Sequence, residues 1–353
     1  MSDAQQVGDA GTGRRVSWIA NAALLVVSLG FVCIAAEYVF RFRYAHLIYT
    51  PRAEVRAVQQ YLTLDPDIGF RWREHIGAGQ NVRFAINDIE PEPLVTDRFG
   101  VINAVEAIRK REDAKTVEVI GLGDSFMEMA ARGFHEQLGE RGFDYYSLAI
   151  HRQCPAQYTR ILQRWGKELR PRVAIYGLYE NDFNEMSDYQ SWKRSGVDWF
   201  TYHSGTWCGP PIGVGAMERA LRTRTRGWYS FGLVIDARLR GERVSVSGPS
   251  ELEVRDVASA VAEAKQTCEQ SGIRLVLLLI PSKQTATDGN TAEAEAYDAV
   301  IKEVQCDVID LRPVFQRHVE PESLYYVKDG HWNARGVDLA ADHVSMYLEG
   351  LTP

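Results

Sequence analysis

Residues 117–131 read VEVIGLGDSFMEMAA, an apolar run that stops at Gly-Asp-Ser and continues as a helix-like segment. Its apolar first part predicts a buried strand, and the residues after Gly123-Asp124-Ser125 favour a helix. The same alternation of apolar runs and amphipathic stretches continues to the end of the chain. The further predicted strands are 145–150, 173–179, 274–280 and 308–310. Several are apolar on both faces, which is typical of a parallel sheet covered on both sides, so we predict an α/β fold with three layers.

The N-terminal part contains one long apolar stretch, residues 18–40, in which Glu37 is the only charged residue. A helix of this length crosses a hydrocarbon core of ~30 Å, so we predict a single transmembrane helix. A cleaved signal peptide is the alternative, but Ile34-Ala35-Ala36 is a poor cleavage site. Arginines flank the stretch on both sides, so charge alone leaves the membrane orientation open.

The predicted organisation has four parts. Residues 1–17 are a tail, 18–40 the transmembrane helix, 41–114 a linker with a small β-containing lead-in, and 115–353 the main domain. An aromatic-rich insertion at about 184–249 interrupts the main domain, and its tryptophans either line a substrate cleft or form a satellite core.

Composition excludes some classes of protein. The 353 residues carry a net charge of −7 without a basic run, so we expect no nucleic-acid partner. Four cysteines lie outside the apolar N-terminal stretch and fit either disulfides or ordinary core positions. Their spacing does not support a zinc site, and no metal or organic cofactor is implied.

Polar residues follow the predicted strands at positions where a catalytic site would form. Ser125 ends the first strand and begins a helix, where free N–H groups favour developing negative charge. By itself, the Gly-Asp-Ser turn fits a helix cap, with Asp124 or Ser125 as the capping residue. Because ligands bind at the carboxyl ends of parallel strands, Ser125 is also a candidate nucleophile.

Two other segments supply the groups that a nucleophilic serine needs. Asp329 and His331 stand two apart before the last predicted helix, so the carboxylate could orient the imidazole as a base. Asn181 follows the strand 173–179 and could donate to an oxyanion, while Asp182 could cap or brace the loop. Each of these segments alone is weak evidence for a catalytic site, but their order along the chain favours serine-dependent ester chemistry.

These segments resemble the blocks of the SGNH (GDSL-type) hydrolase family, especially its membrane-anchored bacterial branch related to alginate and glycan O-acetylation enzymes. Gly123-Asp124-Ser125 matches the nucleophile block, Asn181-Asp182 the third block, and Asp329-Gly330-His331-Trp332-Asn333 the last block. The resemblance implies a flavodoxin-like sheet, Ser125 as nucleophile, His331 as base and Asp329 as its partner.

Two positions depart from the family pattern. Arg152 stands where the second block has a glycine whose N–H contributes to the oxyanion hole, and Tyr179 replaces the glycine of the third block. The resemblance implies an oxyanion hole formed by Ser125, Arg152 and Asn181. These replacements leave open a catalytically inactive glycan-binding scaffold as a rival function.

The family resemblance implies an esterase or O-acyltransferase. We expect it to act on acyl esters of a glycan outside the cytoplasmic membrane, with a lipid or small ester as the alternative substrate. The expected partners are the membrane, the glycan or ester substrate and a membrane-bound acyl-donor protein. The expected location is the cytoplasmic membrane, with the catalytic domain on the periplasmic side.

Overall fold

A computed structural model describes residues 18, 20–32, 59–77, 83–84, 92–113, 116–203, 248–289, 292–327 and 330–351. The described residues fall into two units, with 18, 20–32 and 203 in the first and the others in the second. In the first unit, residues 20–32 are helical. Within the described ranges, no helix is both long and apolar enough to cross a membrane. Residues 19 and 33–40 of the predicted transmembrane helix lie outside those ranges.

The second unit begins with a small antiparallel lead-in. Strand β1 (Leu62–Asp65) pairs with β2 (Gly69–Trp72), and β3 (Arg83–Phe84) pairs with β4 (Glu92–Pro93). Asp65 Oδ1 closes the first turn by accepting the N–H groups of Asp67 and Ile68 at 3.0 and 3.2 Å. The turn returns the chain through Gly69 at a φ of 80°, a conformation that favours glycine.

Five parallel strands form the central sheet: β5 (Val119–Leu122), β6 (Tyr145–Ser147), β7 (Val173–Leu178), β8 (Arg274–Leu279) and β9 (Asp307–Asp310). Their spatial order is β6-β5-β7-β8-β9, the flavodoxin-like order in which the second strand of the sheet lies outside the first. The strand order therefore reverses between β5 and β7. The carboxyl ends of these two strands form the topological switch point where ligands bind in open α/β sheets.

Helices follow the strands as the apolar pattern predicts. They are α1 (Val105–Asp113), α2 (Ser125–Met129), α3 (Ala131–Glu140), α4 (Pro155–Ile161), α5 (Lys167–Leu169), α6 (Asn181–Ser195), α7 (Trp199–Tyr202), α8 (Glu251–Gln270), α9 (Lys283–Asp288), α10 (Ala292–Val304), α11 (Arg312–Gln316) and α12 (Ala334–Gly350). A π-helical turn, Leu162–Gly166, joins α4 to α5, and a 3₁₀ turn, Pro321–Leu324, precedes α12.

The helices cover both faces of the sheet. Helices α3 and α12 pack together and share one apolar core with alternate residues of β7, Val173 and Ile175. On the opposite face, α8 packs against α4, α6 and α10. Thr159 of α4 accordingly lies 3.3 Å from the hydroxyl of Tyr176, which projects from that face of β7. The arrangement is an α/β fold with a parallel sheet between helical layers.

The segment that opens the predicted insertion is more regular than expected. Its first part, up to Ser195, belongs to helix α6, which packs on α8. Trp192 and Trp199 are only 5% and 3% exposed, and their rings meet edge to face at 5.0 Å. These two tryptophans form part of the packed core. Residues 204–247, which include Trp207 and Trp228, lie outside the described residues.

Candidate active site

The turn between β5 and α2 presents Ser125 at the switch point of the sheet. Asp124 caps α2 by accepting the N–H of Phe126 at 3.0 Å, and Ser125 is the first residue of the helix. Gly123 is required before it, because a Cβ there would lie 2.4 Å from Cγ of the buried Met127. The residues of this turn therefore fix the direction in which the Ser125 hydroxyl points.

The structure brings His331 to this serine from 206 residues further along the chain. The two atoms in contact are His331 Nε2 and Ser125 Oγ, which lie 2.8 Å apart. Asp124 Oδ2 is a more distant acceptor for the same hydroxyl, at 3.3 Å. A neutral imidazole that carries its proton on Nδ1 leaves Nε2 free to accept the serine proton.

Rings hold the imidazole in place. His331 packs on Phe126 with 4.7 Å between ring centroids, and Tyr179 packs on the same Phe126 at 3.9 Å. The next residue, Trp332, is buried, and its indole N–H donates to the Phe126 carbonyl at 3.0 Å. Helix α2 and the segment that carries His331 are thus linked by contacts with both the ring and the carbonyl of Phe126.

The main chain around His331 is also anchored. Its carbonyl accepts the N–H of Tyr326 at 3.0 Å. Asn333 then caps α12 by accepting the N–H groups of Arg335 and Gly336. Asp329, the predicted partner of the imidazole, lies outside the described residues. Its role remains a prediction.

Asn181, the predicted oxyanion donor, is the first residue of α6 at the end of β7. Its side-chain nitrogen donates to Glu185 Oε1 at 3.2 Å, one helical turn away. Asn181 Oδ1 and Glu185 Oε2 are both buried without a hydrogen-bond partner among the described residues. The amide therefore lies at the switch point but is engaged by Glu185 in this conformation.

Asp182 lies beneath the site and braces it. Its carboxyl is fully buried and accepts the Tyr158 hydroxyl at 2.6 Å and the Tyr179 N–H at 2.8 Å. These bonds fix the turn between β7 and α6, which carries Asn181. A supporting role for Asp182 in catalysis stays a prediction.

Three carboxyl groups cluster around this turn. Burial raises the pKa of Asp124, although the nearby His331 opposes that effect. Burial also raises the pKa of Asp182 and Glu185, and repulsion from Asp124 adds to the increase at both. The cluster therefore retains protons at a pH where solvent-exposed carboxyls have lost them. This limits the negative charge next to the place where an oxyanion would form.

Arg152, which stands where the family pattern has a glycine, adopts a backbone conformation that favours glycine. Its φ is 53°, in the left-handed region, while its side chain is exposed and close enough to attract the charges of Glu185 and Asp188. The Ile150 N–H donates to the Gly123 carbonyl at 3.2 Å, so this loop runs beside the nucleophile turn. The loop after β6 therefore takes a left-handed turn at Arg152, a geometry that is more costly for arginine than for glycine.

Sequence reasoning missed three side chains that lie close to these segments: Glu128, His151 and Glu185. Glu128 contacts His151, at 2.9 Å from Oε2 to Nδ1, and both residues are only 8% exposed. A glutamate among Phe126, Met127 and Met129 is a charge on a buried helix, and that signal could have identified Glu128. Glu185 lies one turn after Asn181, and nothing in the local pattern separates it from surface glutamates.

The arrangement is that of a hydrolase-like α/β domain with a serine–histidine pair at the switch point. In the part of the chain that the structure describes, no group of three His, Cys, Asp or Glu residues could hold a metal ion. Such a pair can activate a hydroxyl for attack on an ester carbonyl.

Comparison with known families agrees with this class. Residues 240–352 match the family described as the SGNH hydrolase-like domain of the acetyltransferase AlgX. The predicted resemblance to the SGNH hydrolase family is therefore confirmed. The matched region contains the Asp329–Asn333 block and ends two residues after the last helix, whereas Ser125, Arg152 and Asn181 precede it.

Solved structures similar to the chain include three esterases or lipases. A GDSL-like lipase from Bacteroides thetaiotaomicron is 12% identical and covers 69% of this chain and 98% of its own, with a TM-score of 0.40. The acetyl xylan esterase AlAXEase is 14% identical, with 66% and 100% covered and a TM-score of 0.40. The psychrotrophic esterase EstA from a Pseudoalteromonas species is 9% identical, with 66% and 97% covered and a TM-score of 0.37. Comparison with curated protein sequences gives no match.

Proposed function

We propose that this protein is a serine-dependent esterase or O-acyltransferase that works through an acyl-serine intermediate at Ser125. The observation that carries the proposal is the 2.8 Å contact between Ser125 Oγ and His331 Nε2. The position of this pair at the switch point supports it, because that crevice is where a substrate can reach both atoms.

In the proposed reaction, His331 Nε2 takes the serine proton as Ser125 Oγ attacks the ester carbonyl carbon. The ester C–O bond then breaks, and the imidazolium gives its proton to the departing alkoxide. Asp329 would hold the Nδ1–H of the imidazole, as the family resemblance implies. The N–H groups of Ser125 and Arg152, with the Asn181 amide turned away from Glu185, would stabilise the oxyanion.

The acyl-serine is resolved by a second hydroxyl. Attack by water releases a carboxylic acid and gives an esterase, while attack by a sugar hydroxyl forms a new ester and gives an acyltransferase. In both cases His331 removes the proton of the attacking hydroxyl and returns it to Ser125 Oγ.

We propose an O-acetyl ester of a glycan outside the cytoplasmic membrane as the substrate. The match of residues 240–352 to the domain of an acetyltransferase supports this choice. A transmembrane helix over 18–40 would anchor the domain in the cytoplasmic membrane facing the periplasm, beside a membrane-bound acyl donor. A lipid or small ester is the alternative substrate.

The rival function, an inactive glycan-binding scaffold, rests on Arg152 and Tyr179 in place of glycines. Arg152 adopts the left-handed conformation, and Tyr179 packs on Phe126 with its side chain 9% exposed. Both replacements are accommodated while the serine–histidine contact is kept. This observation favours the enzyme over the scaffold.

The test is turnover of p-nitrophenyl acetate by the purified full chain, with Ser125→Ala beside it. Ser187→Ala, an exposed serine on α6, is the matched control. We expect turnover that is lost in Ser125→Ala and kept in Ser187→Ala. Acetylated oligosaccharides and longer acyl esters then define the substrate, and added glycan acceptors reveal transfer. Equal rates for wild type and Ser125→Ala would contradict the proposed function, and a strict preference for long acyl chains would contradict the glycan substrate.

A further inference from the structure

Glu128 is a buried carboxylate one helical turn after the nucleophile, and its partners come from two other segments. The indole N–H of Trp72, in the lead-in strand β2, donates to Glu128 Oε1 at 2.7 Å. His151 Nδ1, in the loop after β6, lies 2.9 Å from Oε2 and 3.2 Å from Oε1. An ionised carboxylate only accepts hydrogen bonds, so in this pairing Nδ1 carries the imidazole proton.

His151 connects Glu128 to the loop that carries the expected oxyanion donor. It directly precedes Arg152, whose left-handed φ of 53° directs the backbone at that point. The imidazole packs between Phe70 and Trp72, with ring centroids at 5.2 and 4.9 Å. His151 therefore has little freedom to move relative to the lead-in.

The lead-in holds the same loop from its other side. Gln153, which directly follows Arg152, is buried, and its amide donates to the Phe70 carbonyl at 2.9 Å. Further on, the Gln157 amide donates to the Ile68 carbonyl at 2.8 Å. Side chains on both sides of Arg152 are thus attached to one hairpin.

Helix α2 needs such an external anchor. It has only five residues, and helices this short are not stable by their own hydrogen bonds. The rotation of α2 about its axis determines where Ser125 Oγ points, while the loop after β6 determines where the Arg152 N–H points. Glu128 belongs to helix α2 and contacts His151, the residue next to this donor, so it links the two.

We propose that Glu128 and His151 form a positioning pair that sets the distance between the nucleophile and the oxyanion donor on Arg152, with the lead-in hairpin as its support. This inference rests on the proposed function. Neither residue touches the reacting atoms, so the pair acts on the geometry of the transition state more than on substrate binding. Its loss should lower kcat and leave KM nearly unchanged.

The experiment measures kcat and KM for p-nitrophenyl acetate in Glu128→Gln, His151→Phe and His151→Asn. Glu128→Gln keeps the shape but removes the charge and one acceptor. His151→Phe keeps the packing against Phe70 and Trp72 but removes the donor, whereas His151→Asn places an amide N–H near the position of Nδ1. The control His343→Phe removes a histidine on α12 whose Nδ1 lies 3.0 Å from the Leu339 carbonyl.

We expect Glu128→Gln and His151→Phe to lower kcat by roughly 10- to 100-fold with KM within about two-fold, the cost of a misplaced reacting group. His151→Asn should recover most of the loss, and His343→Phe should behave as wild type. Thermal unfolding of each variant, and titration of its reactive serine with a small fluorophosphonate, give the fraction of folded sites to which kcat is referred.

Two results would overturn the positioning role. One is an unchanged kcat per folded site in Glu128→Gln and His151→Phe. The other is a larger loss in His151→Asn, which lacks the ring, than in His151→Phe, which keeps it, and this would reduce the role of His151 to packing. Failure of the proposed function is distinguishable, since it appears as absent turnover and absent labelling in the wild-type protein.

Discussion

His331 and His151 both contact side chains of helix α2, but His331 contacts a hydroxyl and His151 contacts a carboxylate. His331 is half-buried and directs Nε2 at the hydroxyl of Ser125, 2.8 Å away. His151 is buried and directs Nδ1 at the carboxylate of Glu128, 2.9 Å away. A histidine next to a neutral hydroxyl can move a proton during a reaction, whereas one fixed by a buried carboxylate is suited to hold a position. The group that a histidine contacts, and not the residue type, distinguishes a candidate base from a structural anchor.

The largest expected effect comes from removing the first histidine. His331→Ala should lower kcat/KM for an acetyl ester by at least about 10³-fold, since the serine loses its proton acceptor. His151→Asn should lose no more than a few-fold, because it keeps a donor for Glu128. Steady-state kinetics of the two variants side by side measure the difference. Equal losses would abolish the distinction between base and anchor.

The next largest effect concerns the side-chain amide of Asn181, the predicted oxyanion donor. Asn181→Ala should lower kcat by about 10²-fold, the cost of one oxyanion donor. Asn184→Ala, an exposed asparagine on the same helix, is the matched control. If Asn181→Ala keeps full kcat, the amide serves only its bond to Glu185, and the oxyanion is stabilised by the backbone alone.

A smaller effect concerns the strained backbone next to His151. Arg152 and Arg170 both have left-handed φ values, 53° and 47°, which cost a non-glycine residue about 1 kcal/mol. Arg170→Gly should therefore raise the free energy of unfolding by about 1 kcal/mol. Arg152→Gly should raise it less, since it also loses the attraction of its guanidinium to Asp188.

Urea unfolding of both arginine variants measures this difference, and turnover of Arg152→Gly shows whether the side chain matters for activity. We expect turnover close to that of wild type, because only the backbone N–H is assigned to the oxyanion. A ten-fold loss would show that the Arg152 side chain contacts the substrate.

The last effect is a change of stability with pH. Burial, together with repulsion from Glu293, raises the pKa of Glu180 to about 7 from an ordinary value of 4.5. The folded protein binds more protons than the unfolded chain between these values, so its stability falls as pH rises through this window. Above about pH 7 both states have lost the proton, and the decline from this group ends.

Urea midpoints at pH 5, 6, 7 and 8 test this assignment. The decline should be weaker in Glu180→Gln than in wild type, while Glu136→Gln, at an exposed position on α3, should follow wild type. Identical pH profiles for Glu180→Gln and wild type would show that Glu180 titrates as an ordinary carboxyl.

The sheet and the position of Ser125 could be predicted because they depend on local patterns. Apolar runs identify buried strands, and the carboxyl end of a parallel strand faces the crevice whatever the rest of the chain does. The predicted strand at 117–122 is observed as β5, Val119–Leu122, with Ser125 opening the next helix. The Ser125–His331 contact was predictable from the position of Ser125 at such an end together with the family motifs.

Other features of the structure could not be predicted from local sequence patterns. Helix α6 has little segregation of apolar from polar residues, so the sequence pattern places most of it, from about residue 184, in the aromatic-rich insertion. The Glu128–His151 contact joins residues whose pairing depends on how the loop after β6 folds back along β5. Trp72 comes from the lead-in, 56 positions before Glu128, and no spacing rule connects the two.

The most direct test of the account is covalent labelling of the purified full chain with a small fluorophosphonate, followed by peptide mass mapping. We expect one adduct, on Ser125, that forms much more slowly in His331→Ala and is absent in Ser125→Ala. An unlabelled wild-type chain, or an adduct on another residue, would contradict the assignment of Ser125 and His331 as a nucleophile and its base.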